Sequence, residues 1–77
     1  MLTRGPQAEF SEYALLRMRQ RDILSEEVLE ILGSPRAGHK QRPDGRTEVR
    51  GRVGKRTLLV VYRRAADAMI VINAMWE

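Results

Sequence analysis

Apolar residues along this chain recur first with a helical period and later with a strand period, and the change divides the sequence into two halves. Between Phe10 and Pro35 the spacing is three and four. Ala14, Leu15 and Met18 fall on one stripe, with Arg17 and Arg21 along one border and Leu16 on the opposite side. Ser11 is a suitable N-cap, so a first helix is predicted from about Ser11 to Arg21. A second begins at Ser25 as cap and has Glu26 and Glu27 in its first turn, where the helix dipole favours acids. It ends at Gly33 and Pro35. Its Val28, Ile31 and Leu32 share one face, and Glu26, Glu27 and Glu30 occupy the other.

The stretch Ser34 to Gly45 is polar, and Pro43-Asp44-Gly45 is a strong turn signal. Alternation follows. Val49, Gly51 and Val53 face one way from a strand over Thr47–Val53, and Glu48, Arg50 and Arg52 face the other. Gly54-Lys55 suits a two-residue hairpin turn with glycine first. Thr57–Arg63 is apolar on both faces, as a central strand is. Ala65-Ala66-Asp67 then turns the chain into a third strand over Met69–Met75. The pattern predicts an α+β domain in which two N-terminal helices pack on an antiparallel meander of three or four strands. Residues 1–9, without periodicity and with Gly5-Pro6, are expected to be a flexible lead-in to a single domain over 10–77. Two helices cover one sheet face only. The other would expose apolar side chains such as Met69, Met75 or Trp76, to be covered by a homodimer, a dedicated partner or the N-terminal tail.

Composition narrows the chemistry. Seventy-seven residues allow one small core. The absence of cysteine excludes disulfides and thiolate metal sites, and the single histidine, His39, excludes an imidazole metal centre, so no metal or other cofactor is expected. The longest apolar run, Leu58 to Tyr62, is too short to span a bilayer, and the first twenty residues lack the apolar core of a signal peptide. No membrane role and a cytoplasmic location are the expectation.

The net charge of +4 is unevenly spread. Residues 1–35 carry four arginines against six acids, and residues 65–77 carry only Asp67 and Glu77. Residues 36–64 hold ten lysines and arginines against Asp44 and Glu48. A basic block of that density suits a polyanion such as RNA, with Lys40, Arg42, Arg46, Arg50 and Arg52 as its candidate phosphate contacts. The competing reading is a solvated face that keeps a small protein soluble. A DNA-reading helix pair is excluded, because the second helix is acidic on its exposed face.

Tyr13, Arg17 and Arg21 stand four residues apart, so their side chains share one face of the first helix. Metal-free RNA cleavage needs a group to activate the 2′-hydroxyl, cations for the pentavalent phosphorane and a proton for the leaving oxygen. Arg17 and Arg21 are candidates for the phosphate clamp and Tyr13 for the proton donor, with Tyr62 or His39 as auxiliary acid–base or stacking groups. Equally, the two arginines fit an ion-pair ladder to Glu12, Asp22 or a glutamate of the second helix. His39, between Gly38 and Lys40, reads as an incidental loop residue.

These residues together resemble a set of small bacterial domains, the domain-of-unknown-function family 4258. The features are Phe10-Ser11, Ala14, Arg17-Met18, Arg21, Ile23, Ser25-Glu26-Glu27-Val28, Pro35, Gly45-Arg46, Gly51 and Leu59-Val60-Val61-Tyr62, spanning about Phe10 to Ile72. Such domains look like relatives of RelE-like ribonuclease toxins. The resemblance implies N-terminal helices on an antiparallel sheet, RNA cleavage or RNA binding without a metal, and an acidic antitoxin-like partner. Family members commonly carry a histidine where this chain has Tyr13. A phenol with a reference pKa of about 10 is a poor base at neutral pH, so the departure favours binding over catalysis.

Overall fold

The computed structural model describes residues 7–77. Ser11 accepts the Ala14 amide proton on Oγ at 3.0 Å and starts α1, Glu12–Gln20. The chain leaves α1 through Asp22 in the left-handed region at φ 59°. There Ile23 N–H bonds Met18 O at 2.8 Å and Asp22 N–H bonds Arg19 O, which satisfies the last carbonyls of the helix. Buried Ile23 packs in the same cluster as Met18 and so seals the turn. The second helix, α2, spans Ser25–Leu32. Its N-cap is Leu24 rather than the expected Ser25. Leucine has no side-chain acceptor, and the end is held instead by Glu27, whose carboxylate accepts the Leu24 amide at 2.9 Å.

Five strands form one sheet: β1 Gln7–Phe10, β2 Gly38–Gln41, β3 Arg46–Val53, β4 Arg56–Ala65 and β5 Ala68–Trp76. Their order is β1-β5-β4-β3-β2, with β1 parallel to β5 and every other pair antiparallel. The α+β layout and the central meander match the expectation. The sheet is nonetheless mixed, and it has two more strands than three. Of the expected lead-in, residues 1–6 lie outside the described residues, while Gln7–Glu9 belong to β1. The segment read as turn-rich contributes β2 as an edge strand. Gly54, at φ 63°, takes the first central position of the β3–β4 turn, and Ala66 takes the corresponding position between β4 and β5 at φ 55°. No helix among the described residues is long and apolar enough to cross a membrane.

Both helices pack on one side of the sheet, α1 along β5 and α2 over β3 and β4. Ala14, Met18, Val28, Ile31 and Leu32 meet Val49, Leu58, Val60, Tyr62, Met69, Val71 and Ala74 in the core. Gly51 permits α2 to come close, since a Cβ there would sit 3.0 Å from Cγ1 of Ile31. Leu15, expected in the core, is 47% exposed like its neighbour Leu16. A helix laid on a sheet is covered from one direction only, and Ala14 and Met18 already fill it.

A bulge in β5 sets which side chains face the helices. Pairing jumps from Val61 opposite Asn73 to Tyr62 opposite Val71, leaving Ile72 as the extra residue. Met69 and Val71 therefore face the helices before the bulge, and Ala74 and Trp76 after it. This corrects the expected exposed set. Met69 is buried, and Trp76 packs against the core with its indole N–H donating to Arg21 O at 2.8 Å. Of the three residues, Met75 alone lies on the open face, alongside Leu59, Val61, Ile70 and Ile72.

Candidate functional site

Strand register gathers Lys40, Arg46, Arg50, Arg52 and Arg63 on the open face. Lys40 on β2 lies opposite Glu48, and along β3 Arg46, Arg50 and Arg52 alternate with inward-facing residues. Arg46 stands directly across from Arg63 on β4. Like charges so placed repel. The compensation is slight: Arg46 reaches Asp44 only at 3.8 Å, and Arg63 has no ion-pair partner among the described residues.

Glu48 organises the middle of this face. Its carboxylate bridges Arg42 from the β2–β3 turn and Arg50 from its own strand, the latter at 3.4 Å. Its side chain is only 14% exposed. Arg50 Nε also donates to Glu77 at 2.9 Å, and that bond holds its guanidinium above the ordinary arginine value. Six cations (Lys40, Arg42, Arg46, Arg50, Arg52 and Arg63) thus share a surface with four acids, Asp44, Glu48, Glu77 and, on the far edge strand, Glu9. The excess is positive.

A cleft of about 660 Å³ opens on this face between the β2–β3 turn and the start of α1. Tyr13, Arg42 and Arg46 line it with the carboxylates of Asp44 and Glu48, with Asn73, and with an apolar floor of Val61, Ile72 and Met75. The structure therefore unites one residue of the helical triplet with two of the candidate phosphate contacts. Arg17 stands beside Tyr13. Its Nε donates to the Tyr13 hydroxyl at 3.0 Å, and its terminal nitrogen donates to Gln20 at 3.1 Å. The phenol accepts in that bond, which leaves its own proton free to donate. Lys40, Arg50 and Arg52 share the face but lie outside the cleft.

Arg21 does not belong to the site. Its guanidinium donates to Asn73 Oδ1 at 3.0 Å and to Ala74 O at 2.8 Å, tying the end of α1 to the β5 bulge. The ion-pair ladder does not form: among the described residues Arg17 and Arg21 make no ion pair with Glu12, Asp22 or a glutamate of α2, and Arg21 does not line the cleft. Sequence reasoning passed over Glu48, whose signal was present as a lone acid alternating with Arg46, Arg50 and Arg52.

No protein-family model, curated protein or solved structure matches this chain.

Proposed function

We propose that the open face binds the sugar-phosphate backbone of RNA. The observation that carries this reading is the Arg46–Arg63 pair, two arginines opposite each other on neighbouring strands with only Asp44, 3.8 Å from Arg46, to offset them, and with Arg42 beside Arg46 in the cleft. A bridging phosphate converts that repulsion into charge-assisted hydrogen bonds. The floor beside them is apolar, and Tyr13 at the cleft wall is the single aromatic there, so recognition runs mainly through phosphates. The test is fluorescence anisotropy with a short single-stranded RNA across a salt series. Binding is expected to weaken with salt, by a log–log slope of roughly −0.7 for each phosphate neutralised. Arg46→Gln and Arg63→Gln should each flatten that slope by roughly one such step. Salt-independent binding, or no binding at low salt, excludes the reading.

Cleavage is a second reading, favoured by the presence of Tyr13 and Glu48 in one cleft with two arginines. Glu48 would accept the 2′-hydroxyl proton, Arg42 and Arg46 would neutralise the phosphorane, and Tyr13 would protonate the leaving oxygen. Cyclic-phosphate ends that disappear in both Glu48→Gln and Tyr13→Phe support it. Intact RNA after prolonged incubation, with binding retained, leaves a binding protein.

A further inference from the structure

On the helix side of the sheet, away from the basic face, His39, Gln41, Thr47 and Tyr62 converge beyond the reach of α2. The register places His39 opposite Val49, and Gln41 and Tyr62 each opposite Thr47, so their side chains point the same way. Arg64 follows Tyr62 by two residues on the same face. These five residues and Gly45 line a cavity of about 390 Å³, to which neither helix contributes.

The polar groups in it are ordered. Tyr62 is 3% exposed, yet its hydroxyl reaches the cavity and lies 2.9 Å from His39 Nδ1, with the rings edge to face. That bond fixes the imidazole and leaves Nε2 as its free nitrogen. His39, which the sequence suggested was incidental, is thus held by a strand and a buried phenol. No carboxylate lines the cavity, and Arg64 has no ion-pair partner among the described residues. The charged and titratable groups around the imidazole are Tyr62 and Arg64, both from β4, while β3 presents only Thr47 and Val49 there.

We infer that this cavity binds a single phosphate group. Arg64 supplies the permanent charge and a two-pronged donor, the His39 Nε2–H donates in the tautomer whose Nδ1 accepts from the Tyr62 hydroxyl, and the Thr47 hydroxyl and Gln41 amide complete the shell. The phosphate is either a free ion or the terminal phosphate of a nucleotide or RNA. The site lies across the sheet from the Arg46–Arg63 pair and does not rest on the RNA reading.

The experiment is an NMR titration of the full chain with inorganic phosphate, following the His39 ring and the Arg64 Nε–H. Saturable shifts at both residues, with a Kd in the millimolar range or below, are expected. Arg64→Gln, at an exposed position, should weaken binding about tenfold or more, while Arg63→Gln on the other face should leave it unchanged. Uridine 3′- and 5′-monophosphate and a short RNA with and without a terminal phosphate form the second arm. Tighter binding of a phosphorylated end than of inorganic phosphate identifies a nucleic-acid source, and equal or weaker binding identifies the free ion. Shifts that stay linear to about 20 mM phosphate, or an Arg64→Gln variant with wild-type affinity, overturn the assignment. Weakened and less salt-dependent RNA binding in Arg63→Gln, with phosphate binding intact, separates this site from the open face.

Discussion

Arg21→Ala is expected to destabilise the fold while leaving RNA affinity unchanged. The guanidinium makes two part-buried hydrogen bonds, to Asn73 Oδ1 at 3.0 Å and Ala74 O at 2.8 Å. Asn73 Oδ1 also accepts the Ala74 amide at 2.9 Å, so one side chain secures both the bulge and the helix end. Removing a charged donor from such a pair costs about 1.5–3 kcal/mol, and Ala74 O then loses its partner where α1 covers the β5 edge. The bond from the Trp76 indole survives, because it goes to the Arg21 backbone carbonyl. At about 4–8 °C per kcal/mol for a domain this small, the melting temperature should fall by roughly 8–16 °C for a loss near 2 kcal/mol. Urea unfolding, with an m-value equal to wild type, gives the stability directly. Arg21→Lys should recover part of the loss, since an ammonium reaches either acceptor but lacks the planar fork. An Arg21→Ala protein with an unchanged urea midpoint and weakened RNA binding would refute the reasoning and return Arg21 to the site.

Gly51→Ala should destabilise by about 1–3 kcal/mol, because the new methyl meets Cγ1, Cδ1 and Cγ2 of Ile31 at 3.0–3.3 Å. In an Ile31→Ala background the same change should cost little, and additive urea midpoints would disprove the contact. Asp22→Gly and Ala66→Gly relieve side chains held at φ 59° and φ 55°, so each should raise the thermal midpoint, by an amount equivalent to about 0.5–1 kcal/mol. A lowered midpoint in either argues against that strain. Arg63→Gln, besides flattening the salt dependence of RNA binding, should stabilise the free protein by a few tenths of a kcal/mol as the facing charge on Arg46 is relieved. A free protein less stable than wild type would show that Arg63 is paired within the fold.

Local chemistry made much of this fold legible. Ser11 acts as the cap, Val28, Ile31 and Leu32 are buried, and Gly54 forms its turn, each decided by residues within a few positions. Apart from the Leu24 cap of α2 and the exposure of Leu15, the features that escaped depend on pairing across distance. β1 contains four residues, too few for a period to register, and its partner strand lies at the other end of the chain. β2 reads GHKQ and is exposed throughout, so it carries no apolar signal and owes its strand to β3. Arg21 and Asn73 are separated by 52 positions, and nothing near Arg21 distinguishes a bolt from a phosphate clamp. The alternation of Glu48, Arg50 and Arg52 did put their shared face within reach. Adding Arg63 to that face required the β3–β4 register.

The β5 bulge connects these observations. Had β5 kept strict alternation past Val71, Asn73 and Met75 would face the helices, while Ala74 and Trp76 would turn to the open face. The extra residue at Ile72 reverses that phase. It buries the small Ala74 where α1 lies along β5, brings the Trp76 indole to the Arg21 carbonyl and sends Met75 to the cleft floor. Arg21 stabilises the backbone at the position where the phase changes, which is why an arginine of α1 serves the scaffold although Tyr13 and Arg17 stand at the cleft. One inserted residue thus separates an apolar core from a basic face within a single sheet. The separation also bears on the placement of charge: most arginines of the sheet stand on the side that no helix covers, where Glu48, Asp44 and Glu77 offset part of their charge and Arg63 is left for an external anion.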